Sequence, residues 1–386
     1  MTSPPKRIAI NVGGGYVPGL NAVVHGAVLA ANELGWKTLG IRDGYAGLLF
    51  PDRYPHGGLV ELTPSLMEDL AGATGCILGT ALRSDPFHVR SVNAENMVEE
   101  LDASDELLRL VRREAIDAVI SIVDAQALSI AWKLSRQGLK AVCVPKSAEN
   151  QIAATSLSFG FNSTLSFTVD VLERARQAAQ SARKIGVVEV PGEHAGWLAL
   201  QAAIAICADA VLLPEIPYDL QRVANRLKGK IKAGRNYGLV VVAEGATRLE
   251  QEKSGAKDAA AHPLRSSLSP GATGEPGHHV IQRSGHVAEQ VALELQRLIH
   301  HETYPLVIGQ LVKGGPATAV DRQLGLAYGA AAVRAIQEDR TGVMVTFQPP
   351  SLDFVPLANA INQIRTVPAD SVFVQVARSL GISLGD

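Results

Sequence analysis

Short β-branched runs alternate with longer stretches of helical periodicity along most of the chain. Arg7 to Val12 precedes Gly19 to Leu34, Ile116 to Ile122 precedes Ala125 to Arg136, and Lys184 to Val190 precedes Gly196 to Asp209, with a further short run at Lys140 to Val144. That order predicts βαβ crossovers and parallel sheets covered on both faces. Loops at the carboxyl ends of such strands converge on a cleft, so chemistry is expected in the residues just after each run. The alternation stops between Ala246 and Arg283, a stretch rich in Ser, Gly, Ala, Pro and charge that reads as a mobile surface loop. Helical spacing resumes after Gly285 with Val287, Val291, Leu295 and Leu298. A strand-helix unit over Leu306 to Ile336 and a last strand near Val343 to Phe347 follow.

With 386 residues, 47% of them apolar, the chain can bury the core of one large α/β unit or of two lobes. The apolar stretch Leu198 to Leu213 is interrupted by Gln201 and Asp209 and is too short to cross a bilayer. Met1 to Arg7 is a polar lead without an apolar signal core, so a cytoplasmic location is expected. Cys76, Cys143 and Cys207 stand singly in apolar runs and read as buried reduced thiols. A formal charge of -2 predicts no broad attraction to nucleic acid or to an anionic membrane, so any anion site must be local. His278, His279 and His286 lack a compact set of partner ligands and read as solvated residues. Arg174 to Lys184 reads as a solvated helix face.

Several segments, taken in order, resemble 6-phosphofructokinases. Gly13-Gly14-Gly15-Tyr16-Val17-Pro18-Gly19-Leu20-Asn21-Ala22 is similar to the family's GGD-x-PG-[LM]-NA turn, and Ile41 to Leu48 is similar to its DGYxGL segment. Gly75 to Thr80, Val187 to Val190, Leu213-Pro214-Glu215, Gly285 to Glu289, Gly314-Gly315 and Asp321-Arg322 fall in the family's order, so the resemblance runs from about Arg7 to Ile364. It implies two similar doubly wound α/β lobes with parallel sheets, the phosphofructokinase fold, facing each other across a cleft. One lobe would hold a phosphoryl donor and the other a sugar phosphate. The expected division is a donor-type lobe over 1–155 with part of the C-terminal segment, a sugar-phosphate-type lobe over 156–340 containing the loop 246–283, and a C-terminal strand and helices over 341–386 returning towards the first lobe. The resemblance also implies oligomers, dimer or tetramer, in which one subunit completes its neighbour's site.

Phosphoryl transfer needs groups around the donor phosphates, a metal ion, and a base for the acceptor hydroxyl. Gly13, Gly14 and Gly15 keep a turn that can bring backbone N–H groups close to a phosphate, and Arg83 lies near the family's donor-binding arginine. Lys146, in Pro145-Lys146-Ser147, resembles the PKTIDND variant of pyrophosphate-dependent members. The family's GGDG loop is replaced by Val123-Asp124-Ala125-Gln126, where Asp124 is one position early and reads either as a ligand of Mg2+ or as the N-cap of the next helix. The TIDND motif aligns with Ser147 to Gln151, so Glu149 stands where the family's catalytic base is an aspartate, and Gln151 replaces the second acid. On the acceptor side the resemblance points to Ser147, Lys184, Glu193, Glu215 and Lys313. Glu193 replaces the arginine of the family's MGR segment, Lys313 stands in an altered HxxRGG segment, and an expected arginine is Tyr304.

Two readings follow. In one, the chain is a non-catalytic or regulatory homologue that assembles with itself or with an active phosphofructokinase. In the other it is an active phosphotransferase, using ATP or pyrophosphate with Mg2+ to modify fructose 6-phosphate or a related acceptor, with Glu149 as base.

Overall fold

The computed structural model describes residues 6–68, 70, 72–80, 84–92, 98–249 and 286–386. Two compact units emerge, one from Met1–Thr164 and Lys313–Arg365, the other from Leu165–Val312 and Thr366–Asp386.

The first unit is built on a seven-stranded sheet. Its strands are β1 (Arg7–Val12), β2 (Lys37–Ile41), β3 (Leu59–Leu62), β6 (Ala118–Val123), β7 (Ala141–Pro145), β12 (Val343–Gln348) and β13 (Ser351–Pro356). Their order is β13-β12-β7-β6-β1-β2-β3, parallel except for β2 with β3 and β12 with β13. A small hairpin, β4 (Val89–Val92) with β5 (Val98–Leu101), stands apart from this sheet. The central strands AVISIV and AVCVP are buried along their whole length, which explains their unbroken apolar runs. One face packs Ile8, Ile10, Ile120 and Ile122 under helix α1 (Leu20–Glu33) and the helix Ala319–Gln337, and the other packs Ala9, Val119 and Ala141 under α4 (Ser104–Arg113) and α5 (Ala125–Arg136).

After β1 the chain moves to β2 on one side, and it later returns to place β6 on the other. The sheet therefore has a topological switch point between the carboxyl ends of β1 and β6, the position where doubly wound sheets open a crevice.

The second unit has four parallel strands in the order β11-β8-β10-β9: β8 (Ile185–Val190), β9 (Ala210–Leu212), β10 (Gly238–Ala243) and β11 (Thr303–Val307). The helices α7 (Trp197–Ala205), α8 (Leu220–Lys232) and α9 (His286–Ile299) belong to it, and the chain passes between units within α6 (Phe161–Ala182). The doubly wound α/β expectation holds.

The domain boundaries differ from those expected. Residues 313–340 belong to the first unit, because the helix Ala319–Gln337, here α10, lies backbone to backbone on α1. Added carbon at Gly26 would come within 2.2 Å of the Leu326 carbonyl, and at Gly329 within 2.1 Å of the Val23 carbonyl. Residues 366–386, with α11 (Val372–Ser379), belong to the second unit, where the Val211 N–H donates to the Ser383 carbonyl at 2.8 Å. Of the expected loop 246–283, residues 246–249 are tied down by Tyr218 N–H to the Thr247 carbonyl and Leu249 N–H to the Tyr218 carbonyl, both at 3.0 Å, and the rest lies outside the described residues. Cys143 is buried as expected, Cys76 is half-buried and Cys207 is exposed. No helix among the described residues is long and apolar enough to cross a membrane.

Candidate active site

Three of the sequence-predicted groups meet at the switch point of the first unit. Gly13 to Gly15 follow β1, Asp124 follows β6 and Lys146 follows β7, each at a strand's carboxyl end. Gly14 has φ +81°, which favours glycine, and a side chain there would lie within 1.7 Å of Asp124 Oδ2. The close approach lets Asp124 act in two directions. Its Oδ1 accepts the Ala127 N–H at 3.0 Å, the N-cap of α5, and its Oδ2 accepts the Gly15 N–H at 3.2 Å.

Lys146 enters the same cluster from below. Its side chain is 1% exposed, its Nζ donates to the Gly15 carbonyl, and it stands 3.7 Å from Asp124 Oδ2. Burial pulls its pKa down from the ordinary 10.5 to about 8; the Asp124 carboxylate opposes that shift and the charge of Lys313 assists it. The thiol of Cys76 is pushed up to about 11, also by burial, so it is protonated at neutral pH. Lys313, expected on the acceptor side, thus adds its charge to the donor-side cluster.

This gives a sign for the pH dependence of stability. Between about pH 8 and 10.5 the unfolded chain holds a proton on Lys146 that the folded chain has released, so Lys146's contribution to stability rises with pH across that window. The displacement is worth on the order of 3 to 4 kcal/mol at about 1.4 kcal/mol per pH unit. Urea unfolding of wild type and Lys146→Met at pH 7 to 10 is expected to show wild type gaining on the variant as pH rises, and parallel pH profiles would refute the assignment.

The segment after Lys146 is fixed by its own polar atoms. Ser147 Oγ accepts the N–H groups of Glu149 at 3.1 Å and Gln151 at 3.4 Å, so this buried serine holds the turn that carries Glu149. Asn150, at φ +54°, accepts the Ser158 N–H at 2.9 Å and donates to the Ser156 carbonyl at 3.3 Å. The half-buried Glu149 is thereby presented on a turn braced from both sides. Arg83 lies outside the described residues.

In the second unit, Glu193 and Glu215 lie beyond the carboxyl ends of β8 and β9. Gly192 precedes Glu193 with φ +150° and accepts the Gly245 N–H at 3.0 Å, which fixes the backbone at the acidic position. Glu215, expected at sugar hydroxyls, is committed to backbone: its Oε1 accepts the Gly196 N–H at 2.9 Å and the Val367 N–H at 2.7 Å. It thereby caps α7 and anchors the C-terminal segment. Lys184 lies at the opposite end of β8, about 20 Å of strand away from Glu193, and pairs with Glu302 at 2.8 Å on the surface. Tyr304 is near that end too, opposite Gly186, and donates to the Ala175 carbonyl at 2.8 Å. Lys184 therefore does not share a site with Glu193 and Glu215 within the chain. His286 is exposed at the start of α9, and His278 and His279 lie outside the described residues.

A profile of the family described as Phosphofructokinase matches residues 7–336. The chain belongs to that family. It is 32% identical over 390 residues to the ATP-dependent 6-phosphofructokinase 2 of Clostridium perfringens, covering the whole of both chains. It is 34% identical over 389 residues to the ATP-dependent 6-phosphofructokinase of Chloroflexus aurantiacus, covering 100% of this chain and 99% of the relative. Among solved structures it resembles a pyrophosphate-dependent phosphofructokinase of Marinobacter aquaeolei at a TM-score of 0.73, with 19% identity over 98% of this chain and 92% of the other. The Saccharomyces cerevisiae phosphofructokinase gives a TM-score of 0.72 and 23% identity over 97% of this chain, which spans only 46% of the yeast chain. The structural likenesses establish the phosphofructokinase fold.

Membership in a family of kinases raises the question of a metal. Both oxygens of Asp124 accept backbone N–H groups and the Lys146 ammonium stands beside it, so this carboxylate does not fit a Mg2+ ligand. Among the described residues no group of three or more His, Cys, Asp or Glu side chains could hold a metal ion. Of the two readings of Asp124, the N-cap is the one its geometry satisfies. What spacing did not disclose was its second bond, to Gly15. The signal available was the glycine run itself, which left room for a neighbouring strand's side chain.

Proposed function

We propose that this phosphofructokinase homologue is a phosphotransferase of the 6-phosphofructokinase type, acting on a sugar phosphate or a related alcohol. The observation that carries this reading is Glu149, a carboxylate retained on a braced turn at the carboxyl end of β7. Identity of 32 to 34% along the whole chain to proteins named ATP-dependent 6-phosphofructokinases supports it.

In this mechanism Glu149 accepts the proton of the acceptor hydroxyl as the oxygen attacks the terminal phosphorus of the donor, and the bond from that phosphorus to the bridging oxygen breaks to release ADP or phosphate. The backbone of Gly13 to Gly15 and the Lys146 cation would steady the donor's phosphate oxygens, and Lys146 protonation would then couple donor binding to pH. Mg2+ carried in by the donor would neutralise its phosphate charge, and no ligand from this chain is assigned to it.

A second reading, a non-catalytic or regulatory subunit in a homo-oligomer or a mixed oligomer with an active phosphofructokinase, is favoured by one observation. The N–H of Gly15 is already satisfied by the protein's own Asp124. A coupled assay separates the two. Purified protein is offered ATP or pyrophosphate with Mg2+ and fructose 6-phosphate or less phosphorylated sugars. Turnover with at least one pair is expected, and silence with all of them would leave the subunit reading standing.

A further inference from the structure

We propose that Arg365 is a positioning residue for Glu149: its guanidinium, bonded to the carbonyl of the residue after Glu149, holds the turn that presents the carboxylate. This rests on reading Glu149 as the base, and part of its test is independent of turnover.

The argument starts from the backbone beside the base. Asn150 follows Glu149 directly and has φ +54°, a left-handed conformation that a residue other than glycine keeps only where its surroundings hold it. Asn150 is held on two sides. On one, its side chain accepts the Ser158 N–H at 2.9 Å and donates to the Ser156 carbonyl at 3.3 Å. On the other, its carbonyl accepts from Arg365 Nη1 at 3.4 Å. Arg365 grips the next residue as well, since its backbone N–H donates to the Gln151 carbonyl at 3.0 Å, and Ile364 pairs with Ile152 in an antiparallel bridge.

The two sides differ in how firmly they are fixed. The segment from Thr155 to Ser158 is pinned in the core: the Leu157 carbonyl accepts from the fully buried Tyr328 hydroxyl at 2.6 Å, and Thr155 Oγ1 accepts the Phe347 N–H of β12 at 3.0 Å. That wall moves only if the core under α10 opens. The opposite side is a segment near the surface, where Asn362, Gln363 and Ile364 are exposed, so the placement of the turn depends on what that segment bonds. Arg365 itself is half-buried, and burial lowers its pKa from the ordinary 12.5. A charge-assisted bond partly withdrawn from water is stronger than a neutral one at the surface. A displacement of about an ångström at a reacting group can cost on the order of a hundredfold in rate, so a bond one residue from the base lies where small movements matter.

The test compares full-length wild type, Arg365→Met and Arg365→Lys. The backbone pairing of residue 365 survives either change, methionine removes the donor, and lysine keeps a charged donor without the planar fork. Thermal unfolding checks each fold, and should methionine prevent folding, the uncharged Arg365→Gln takes its place. Hydrogen exchange read by mass spectrometry on the peptide spanning 147–152 reports on the turn directly. Arg365→Met is expected to exchange there at least about fivefold faster than wild type, with β1 and β6 unchanged. In the coupled assay it is expected to lose about tenfold to a hundredfold in kcat with KM for the acceptor within a few-fold, and Arg365→Lys to recover most of that loss. Wild-type exchange in the folded methionine variant overturns the proposal. So does an unchanged kcat, or a lysine variant as slow as the methionine one, because the loss would then owe nothing to a charged donor. A silent wild type would remove the base reading alone, and the exchange rates would still decide whether Arg365 holds the turn.

Discussion

Replacement of Glu149 by alanine is expected to lower kcat by about a hundredfold to ten-thousandfold while leaving KM for the acceptor within a few-fold, the signature of a group acting in the transition state. The reason is positional. Within the braced segment Ser147 to Gln151, Ser147 Oγ holds the backbone N–H groups of residues 149 and 151, and Asn150 ties the turn to Ser156 and Ser158. None of those bonds uses the Glu149 carboxylate, so its truncation leaves them in place. Glu149→Gln provides a second reading of the same point, since it keeps the length and the hydrogen-bonding shape while removing the ability to take a proton. Both variants should fall together in the coupled assay with whichever donor and acceptor pair gives turnover. If either retains wild-type kcat with its fold intact, the base is another group.

The largest stability effect is expected at the helix pair that decides which residues belong to the first unit. At Gly329 an added Cβ would lie 2.1 Å from the Val23 carbonyl oxygen and 2.6 Å from the Ala27 nitrogen, and at Gly26 it would lie 2.2 Å from the Leu326 carbonyl oxygen. These obstacles are backbone on both sides, so no rotamer change relieves them, and α1 must move away from α10. The core under that pair, including Val23, Leu324 and Tyr328, would open with it. Gly329→Val is therefore expected to cost about 3 kcal/mol or more, at the upper end of overpacking effects. Gly229, within α8, has nothing within 4 Å of an added Cβ. Gly229→Ala is expected to be stabilising by roughly 0.5 to 1 kcal/mol, because alanine is the better helix former. Urea titrations of the two variants beside wild type make the comparison, and a Gly329→Val curve superimposed on wild type would mean that the two helices can separate freely.

The candidate residues that the fold brings together are those that sit within a few residues of a strand's carboxyl end. Gly13 to Gly15, Asp124 and Lys146 to Glu149 were each found at the end of an apolar run, and the sheet brings the first three together because β1, β6 and β7 are adjacent. Other side chains have partners in the fold that spacing did not disclose. Glu215 was assigned to a ligand, yet its carboxylate is used by Gly196 and Val367. Ser147 was assigned to the acceptor, and its Oγ accepts two N–H groups of its own turn. Lys184 stands at the opposite end of its strand from Glu193, where it pairs with Glu302. Cys207 looked apolar in its run and is exposed, since it terminates a helix at φ +51°.

The alternation of β-branched and helical runs, the glycine turn and the order of the family's motifs were enough, without coordinates, to determine a doubly wound phosphofructokinase fold. Those signals are local: burial on both faces of a parallel sheet imposes an apolar run, and a positive φ imposes glycine. The assignment of 313–340 to the first unit, of 366–386 to the second, and of the Asp124 carboxylate to the Gly15 N–H was decided only in three dimensions. Each depends on backbone meeting backbone, or a side chain meeting an N–H, across more than a hundred residues of chain. Such meetings follow from strand order and helix packing, and no short-range spacing in the sequence encodes them.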